Sequence, residues 1–252
     1  MRVIYHGVRG SRAAHGEAFL RYGGRTSCIE IACKAGRVFI DAGTGIENAC
    51  GCPDNGASGG EQALFLFSHL HMDHVMGMCS FKRLWDHGFL IRMSTGALGI
   101  DPRRDVAALC MPPYYPELGM LERVRHIEHV TFGETPVAIG DEGTHVSSIK
   151  ASHPGGAAAW KLEEDGESIC VFMDNELGFM HEGGDMASMT AFAKGASLLI
   201  HDCTWTDQEY AKRKGWGHSA VTDTCAFAVA AEARRLHLVH HSPERDDEGM
   251  DA

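Results

Sequence analysis

The chain has no run of about 18 apolar residues, which excludes an ordinary membrane-spanning helix. Its first residues, Met1-Arg2-Val3-Ile4-Tyr5-His6, lack the apolar stretch and small-residue cleavage site of a secretory leader, so a cytoplasmic location is expected. A disulfide framework is missing too. The nine Cys are odd in number and show no paired spacing beyond Cys50-x-Cys52, the usage of reduced thiols. Positive charge is scarce: 23 Lys and Arg face 34 Asp and Glu, for a net charge of −11, with no basic run or arm. That balance argues against a long nucleic acid as partner. Nothing in the pattern excludes a homo-oligomer, and no internal repeat is obvious.

What the chain does contain suits a loop-rich α/β enzyme, with 44% hydrophobic residues and 30 Gly among 252 residues. Strand-like runs lie near 2–6, 28–33, 37–41, 63–68, 144–151, 168–173, 197–202 and 235–240, and helical stretches near 185–195 and 220–234. Residues 48–60, rich in Gly and Cys, read as a loop. Residues 95–120, with four Pro, Tyr114 and Tyr115, read either as a substrate mouth or as a packed excursion. The acidic tail 244–252 is expected to fray.

One window carries most of the chemistry. His69, His71, Asp73 and His74 fall within six residues, directly after the apolar run Ala63-Leu64-Phe65-Leu66-Phe67. Alternate residues leave an extended backbone on the same side, so His69 and His71 can aim at one point while Asp73 and His74, beyond a turn, reach a second. Imidazole and carboxylate are ligands that zinc prefers, and an open coordination position leaves room for a reactive water. The spacing suggests two metals.

The pattern His69-x-His71-x-Asp73-His74 resembles the signature of the metallo-β-lactamase superfamily. That resemblance implies a four-layer αββα sandwich, formed by a single hydrolase domain over 1–252, since ligands spread from residue 69 to 240 leave no workable cut. It also implies further ligands. His153, in Ser152-His153-Pro154 after a strand-like run, would complete a three-His site; Asp174, ending Ser168-Ile169-Cys170-Val171-Phe172-Met173-Asp174, would bridge both metals. The last ligand would be His240, with His241 as the alternative. Asp41, in Asp41-Ala42-Gly43-Thr44-Gly45, would support the metal-binding loop from behind. Asp202 ends another strand-like run and receives no role.

Two segments resemble the branch that contains ribonuclease Z and small phosphodiesterases. Gly7-Val8-Arg9-Gly10-Ser11 and Tyr22-Gly23-Gly24-Arg25-Thr26-Ser27-Cys28 form the first, although relatives usually carry Asn at the place of Arg25 and Pro at that of Arg12. Gly217-His218-Ser219 is the second, where a His of this branch protonates the leaving alkoxide; the other reading makes it a helix start capped by Ser219. The resemblance thus implies a dinuclear hydrolase with Asp73 and His218 as catalytic residues. Its ions would be zinc, with manganese or iron as alternatives. Two divalent ions with Asp73 and Asp174 leave a local charge of about +2, suited to a small anionic substrate such as a cyclic nucleotide or another cyclic phosphate diester. A carboxylic ester, thioester or lactam, transfer-RNA processing, and a non-catalytic metal or ligand sensor are the alternatives.

Overall fold

Successive side chains leave opposite faces of a strand, so the run from Ala63 to Phe67 sends Leu64 and Leu66 one way and Ala63, Phe65 and Phe67 the other. All five are buried, and a strand buried on both faces needs a layer on each side. A computed structural model describes residues 1–49, 62–86, 88–116, 119–141 and 143–251 and supplies those layers. The Cys50-x-Cys52 spacing and most of the expected 48–60 loop lie outside the described residues.

The first sheet comprises β1 (Arg2–Gly7), β2 (Cys28–Cys33), β3 (Gly36–Ile40), β4 (Gln62–Leu66), β5 (Leu90–Ser94) and β6 (Ile127–His129), in that spatial order. β1 to β3 pair antiparallel, and β3 to β6 run parallel. The second sheet comprises β7 (Val137–Ile139), β8 (Thr144–Ala151), β9 (Ala157–Glu164), β10 (Glu167–Phe172), β11 (Leu198–Asp202) and β12 (Leu236–Val239). Here too antiparallel strands, β7 to β10, lead into parallel ones, β10 to β12.

Three apolar layers join the pieces. Ile29, Ile31, Val38, Ile40, Leu64 and Leu66 of the first sheet meet Val146, Trp160, Leu162, Ile169, Val171 and Ile200 of the second. Outside the first sheet lie the short helices α1 (Ile46–Ala49), α2 (Met72–Val75), α3 (Arg103–Leu109) and α4 (Met120–Arg123), which contribute Ile46, Val75, Val106 and Met120 against Phe39, Phe65 and Phe67. Outside the second lie α5 (Met186–Ala193) and, beyond α6 (Asp207–Tyr210), α7 (Val221–Ala230), whose Met189 and Phe227 cover Cys170 and Phe172. The architecture is the four-layer αββα sandwich. No helix among the described residues is long and apolar enough to cross a membrane.

One local expectation, the fraying tail, needed correction, and two segments went further than the sequence reading. β9 reads Ala-Ala-Ala-Trp-Lys-Leu-Glu-Glu, a run of helix formers, yet it pairs with β8 and β10 and is largely buried, so tertiary pairing overrides propensity. Residues 95–116 are packed, one of the two readings given: Ala97 donates its N–H to Ser148 of β8, and Val106, Ala107 and Cys110 join the core outside the first sheet. The tail does not fray: α8 (Asp247–Asp251) is held because Asp247 accepts the backbone N–H groups of Arg21 and Tyr22 at 2.7 and 3.1 Å.

Candidate metal centre

The residues just past β3, β4, β8, β10 and β12 converge with the last residue of β11, the usual place for a site in a parallel sheet. β4 ends at Leu66, and the chain runs extended through His69 to His71 before α2 turns it back. His69 and His71 therefore leave on one side, with ring centroids 4.3 Å apart, while Asp73 and His74 sit in α2.

Two groups of ligand atoms share no residue: His69, His71, His153 and Asp174 form one, and Asp73, His74 and His240 the other, while Asp174, His218 and His240 make a third set that overlaps both. Asp174 stands between the first two. Its Oδ2 lies 3.6 Å from His69 Nε2 and 3.8 Å from His153 Nε2, and its Oδ1 lies 3.2 Å from His74 Nε2 and 3.1 Å from His240 Nε2. His153 Nε2 is 3.5 Å from His71 Nδ1, and Asp73 Oδ2 is 3.2 Å from His74 Nε2 and 3.3 Å from His240 Nε2. Two ligands about 2.1 Å from one ion at a tetrahedral angle stand about 3.4 Å apart, so these spacings suit a divalent ion in each group. The chemistry agrees: His69 Nε2, His74 Nε2 and Asp174 Oδ1 are buried without a hydrogen-bond partner among the described residues, a costly state that a cation relieves.

Supporting contacts fix each imidazole. His74 Nδ1 donates to Asp41 Oδ2 at 2.7 Å, and Asp41 also accepts the N–H and hydroxyl of Ser68 at 2.7 and 2.8 Å. His153 Nδ1 donates to the Gly217 carbonyl at 2.9 Å, and His240 Nδ1 lies 3.0 Å from Thr204 Oγ1. Each of these bonds directs Nε2 at the cluster, the arrangement by which second partners orient metal ligands. Asp73 Oδ2 accepts the Ser11 backbone N–H at 2.7 Å. Two glycines permit the approach. A Cβ on Gly10 would stand 2.3 Å from the His240 ring, and one on Gly217, where φ is +92°, would stand 2.3 Å from the His153 ring.

Electrostatics follows from burial against opposite charge. Burial pulls the His74 pKa down, but Asp174, Asp73 and Asp41 outweigh it and hold the value well above the ordinary one. Burial pushes Asp174 up, but His240, His74 and His69 hold it well below the usual carboxylate range. His69, where burial dominates, is shifted down. His218 is buried too, yet Asp202, 3.0 Å from its Nδ1, lifts it to about 9 with help from Asp174 and Asp73.

Of the residues singled out in the sequence, the structure brings together His69, His71, Asp73, His74, His153, Asp174, His218 and His240. His241 belongs to none of these groups. Its backbone N–H bonds the Val8 carbonyl at 2.9 Å, and burial together with Arg9 and Arg245 lowers its pKa to about 4. Arg25 is paired with Glu47 and the Thr44 carbonyl. Sequence reasoning missed Asp202, which holds His218 and also accepts the N–H and hydroxyl of Thr204 at 2.9 and 2.8 Å. The missed signal was an acid closing an apolar strand, the same one that singled out Asp174. Glu176 was missed as well; it accepts the N–H groups of Gly215 and Gly217, both at 2.6 Å, and so fixes the loop that leads to His218.

Residues 36–241 match the family model described as Beta-lactamase superfamily domain. Among curated relatives, the ribonuclease Z of Halorubrum lacusprofundi is 25% identical over 267 residues, covering 86% of this chain and 80% of its own length. Human tRNase Z, short form, superposes with a TM-score of 0.67 at 20% identity, covering 96% of this chain and 93% of that one. A diphosphatase of the PhnP family superposes with a TM-score of 0.68 at 12% identity, covering 98% and 89%. Relatives named ribonuclease Z give no support to the expectation that long nucleic acids are excluded. With its model match over most of the chain, its sandwich and its paired ligand groups, the chain belongs to the metallo-β-lactamase superfamily of metal-dependent hydrolases.

Proposed function

We propose that this protein is a dinuclear metal-dependent phosphodiesterase acting, as one domain in the cytoplasm, on cyclic nucleotides or other small cyclic phosphate diesters. The observation that carries the reading is Asp174, whose two oxygens face separate ligand groups, with the His218–Asp202 pair beside them. His69, His71, His153 and Asp174 would hold one ion, and Asp73, His74, His240 and Asp174 the other, with His240 rather than His241 as the last ligand. Bound there, two divalent ions, zinc in the first instance, supply a charge that polarises phosphoryl oxygens and acidifies water.

The chain's own groups do the rest. Asp73, held by the Ser11 N–H, orients the attacking water. Asp202 engages His218 Nδ1, so Nε2 is the atom left to give a proton to the departing oxygen. Cleavage of an RNA phosphodiester is the second reading, favoured by relatives named ribonuclease Z.

The test is product release from 3′,5′- and 2′,3′-cyclic nucleotides by protein supplied with zinc or manganese, with Asp73→Ala alongside. Turnover lost in the variant is expected. No turnover above the variant with any member would overturn the small-diester reading.

A further inference from the structure

Six residues beyond α6, the chain reaches an exposed aromatic residue, Trp216, that the proposed chemistry does not use. Trp216 is 61% exposed, yet its backbone is among the most restrained near the site. Its neighbours Gly215 and Gly217 both donate their N–H groups to the buried Glu176, and its own N–H bonds the Arg213 carbonyl at 3.1 Å. The next carbonyl, that of Gly217, receives His153 Nδ1 at 2.9 Å, and His218 follows. A large indole is thus held in solvent on a rigid mount, one residue from a contact with a proposed ligand and two from the proposed acid.

A file of rings links it to the centre. Trp216 meets Trp205 at 6.3 Å and 79°, and Trp205 meets His218 at 6.1 Å and 70°. His218 lies 5.5 Å from His153. Trp205 is buried, with the Arg213 guanidinium 4.5 Å from its ring, and its indole N–H has no acceptor among the described residues. The edge-on contact with Trp205 leaves most of the Trp216 ring open, while the inner indole has a donor to spare. Exposed indole on a fixed backbone presents a face on which a flat ring stacks with little ordering cost.

We infer that Trp216 is the platform for a planar base carried by the substrate's sugar, so that the phosphate diester cleaved here belongs to a nucleotide; this rests on the phosphodiesterase reading above. On this inference, a base attached through a sugar to a phosphate at the metal centre would extend on the side of His218 where Trp205 and Trp216 stand. The base itself has two sources, a free nucleotide or the end of an RNA chain, and both present the same stacking face.

The test is calorimetric binding of AMP and of ribose 5-phosphate to zinc-loaded protein, with Trp216→Ala, Trp216→Leu and Trp216→Phe. AMP is expected to bind about 5- to 100-fold more tightly than ribose 5-phosphate, the range of base stacking on an aromatic side chain. Trp216→Ala and Trp216→Leu bring the two dissociation constants together, and Trp216→Phe keeps most of the difference. Equal affinities in the unaltered protein, or a preference kept by Trp216→Leu, would overturn the inference. Because the readout is binding, a protein that prefers AMP but cleaves no diester would sink the phosphodiesterase reading alone. A protein that cleaves cyclic nucleotides without preferring AMP would sink the platform alone. A four-residue oligoribonucleotide displacing AMP at lower concentration than AMP itself identifies an RNA end as the source; the reverse identifies the free nucleotide.

Discussion

β3 of the first sheet is followed by Asp41, whose carboxylate lies 2.7 Å from His74 Nδ1, and β11 of the second ends at Asp202, 3.0 Å from His218 Nδ1. Both acids are buried, both histidines are held through the same ring nitrogen, and the two sheets put the pairs on one centre. The difference lies at the far nitrogen. His74 Nε2 is 3.2 Å from both Asp73 and Asp174 and has no hydrogen-bond partner among the described residues, a setting that suits a ligand. For His218 the close carboxylate contact is the one at Nδ1, to Asp202, with Asp174 farther off at 3.9 Å. Under the proposed function, one acid–histidine motif would serve metal binding in one half and proton delivery in the other, with their surroundings separating the two.

Four experiments would break or sharpen that comparison. The largest effect is expected from Asp174→Ala, which removes the group common to both ligand sets; metal content measured by mass spectrometry should fall from two per chain to one or none, and turnover by at least about a thousandfold. Asp202→Asn comes next. It should leave both metals in place and lower kcat by about a hundredfold or more on a cyclic nucleotide, but far less on a p-nitrophenyl diester, whose leaving group needs no proton. Asp41→Asn should do the opposite, weakening metal affinity by about 10- to 100-fold and affecting both substrates alike once metal is saturating. Equal leaving-group dependence in the two variants would erase the distinction.

The smallest effect belongs to a third acid–histidine pair away from the centre. Glu30 accepts His6 Nε2 at 2.7 Å and two bonds from Arg37 at 2.8 and 2.9 Å. Burial pushes its pKa up, but these partners hold it down at about 2. A depressed carboxylate stabilises the fold above its unfolded pKa of about 4.5 and loses that contribution as pH falls toward 2. Glu30→Gln should cost about 2 kcal/mol at pH 7, leave metal content unchanged, and differ progressively less from the unaltered protein in thermal unfolding below pH 4.

How much of this was legible in the sequence depends on distance along the chain. His69, His71, Asp73 and His74 lie in one window, so spacing alone indicated two foci. His153, Asp174 and His240 are brought to them by β8, β10 and β12, and only the superfamily resemblance picked them out of 16 His and 34 Asp and Glu. The αββα layering followed from the same resemblance and from doubly buried runs such as Ala63 to Phe67. β9 escaped because its alanines and glutamates favour helix in isolation, and burial between two neighbours decides otherwise. Asp202 escaped because an acid ending a strand is an ordinary stop until its partner, 16 residues on, is known. The sequence does not separate His240 from His241; in the structure His240 has a left-handed backbone, φ +59°, and its ring lies against Gly10 beside the other candidate ligands.

The most direct test of the central claim is titration of metal-free protein with zinc while following hydrolysis of bis(p-nitrophenyl) phosphate. Activity that rises until two equivalents are bound, and that never develops in Asp174→Ala, is the predicted result. Full activity at one equivalent, or activity independent of metal, would contradict a centre in which Asp174 joins two ions.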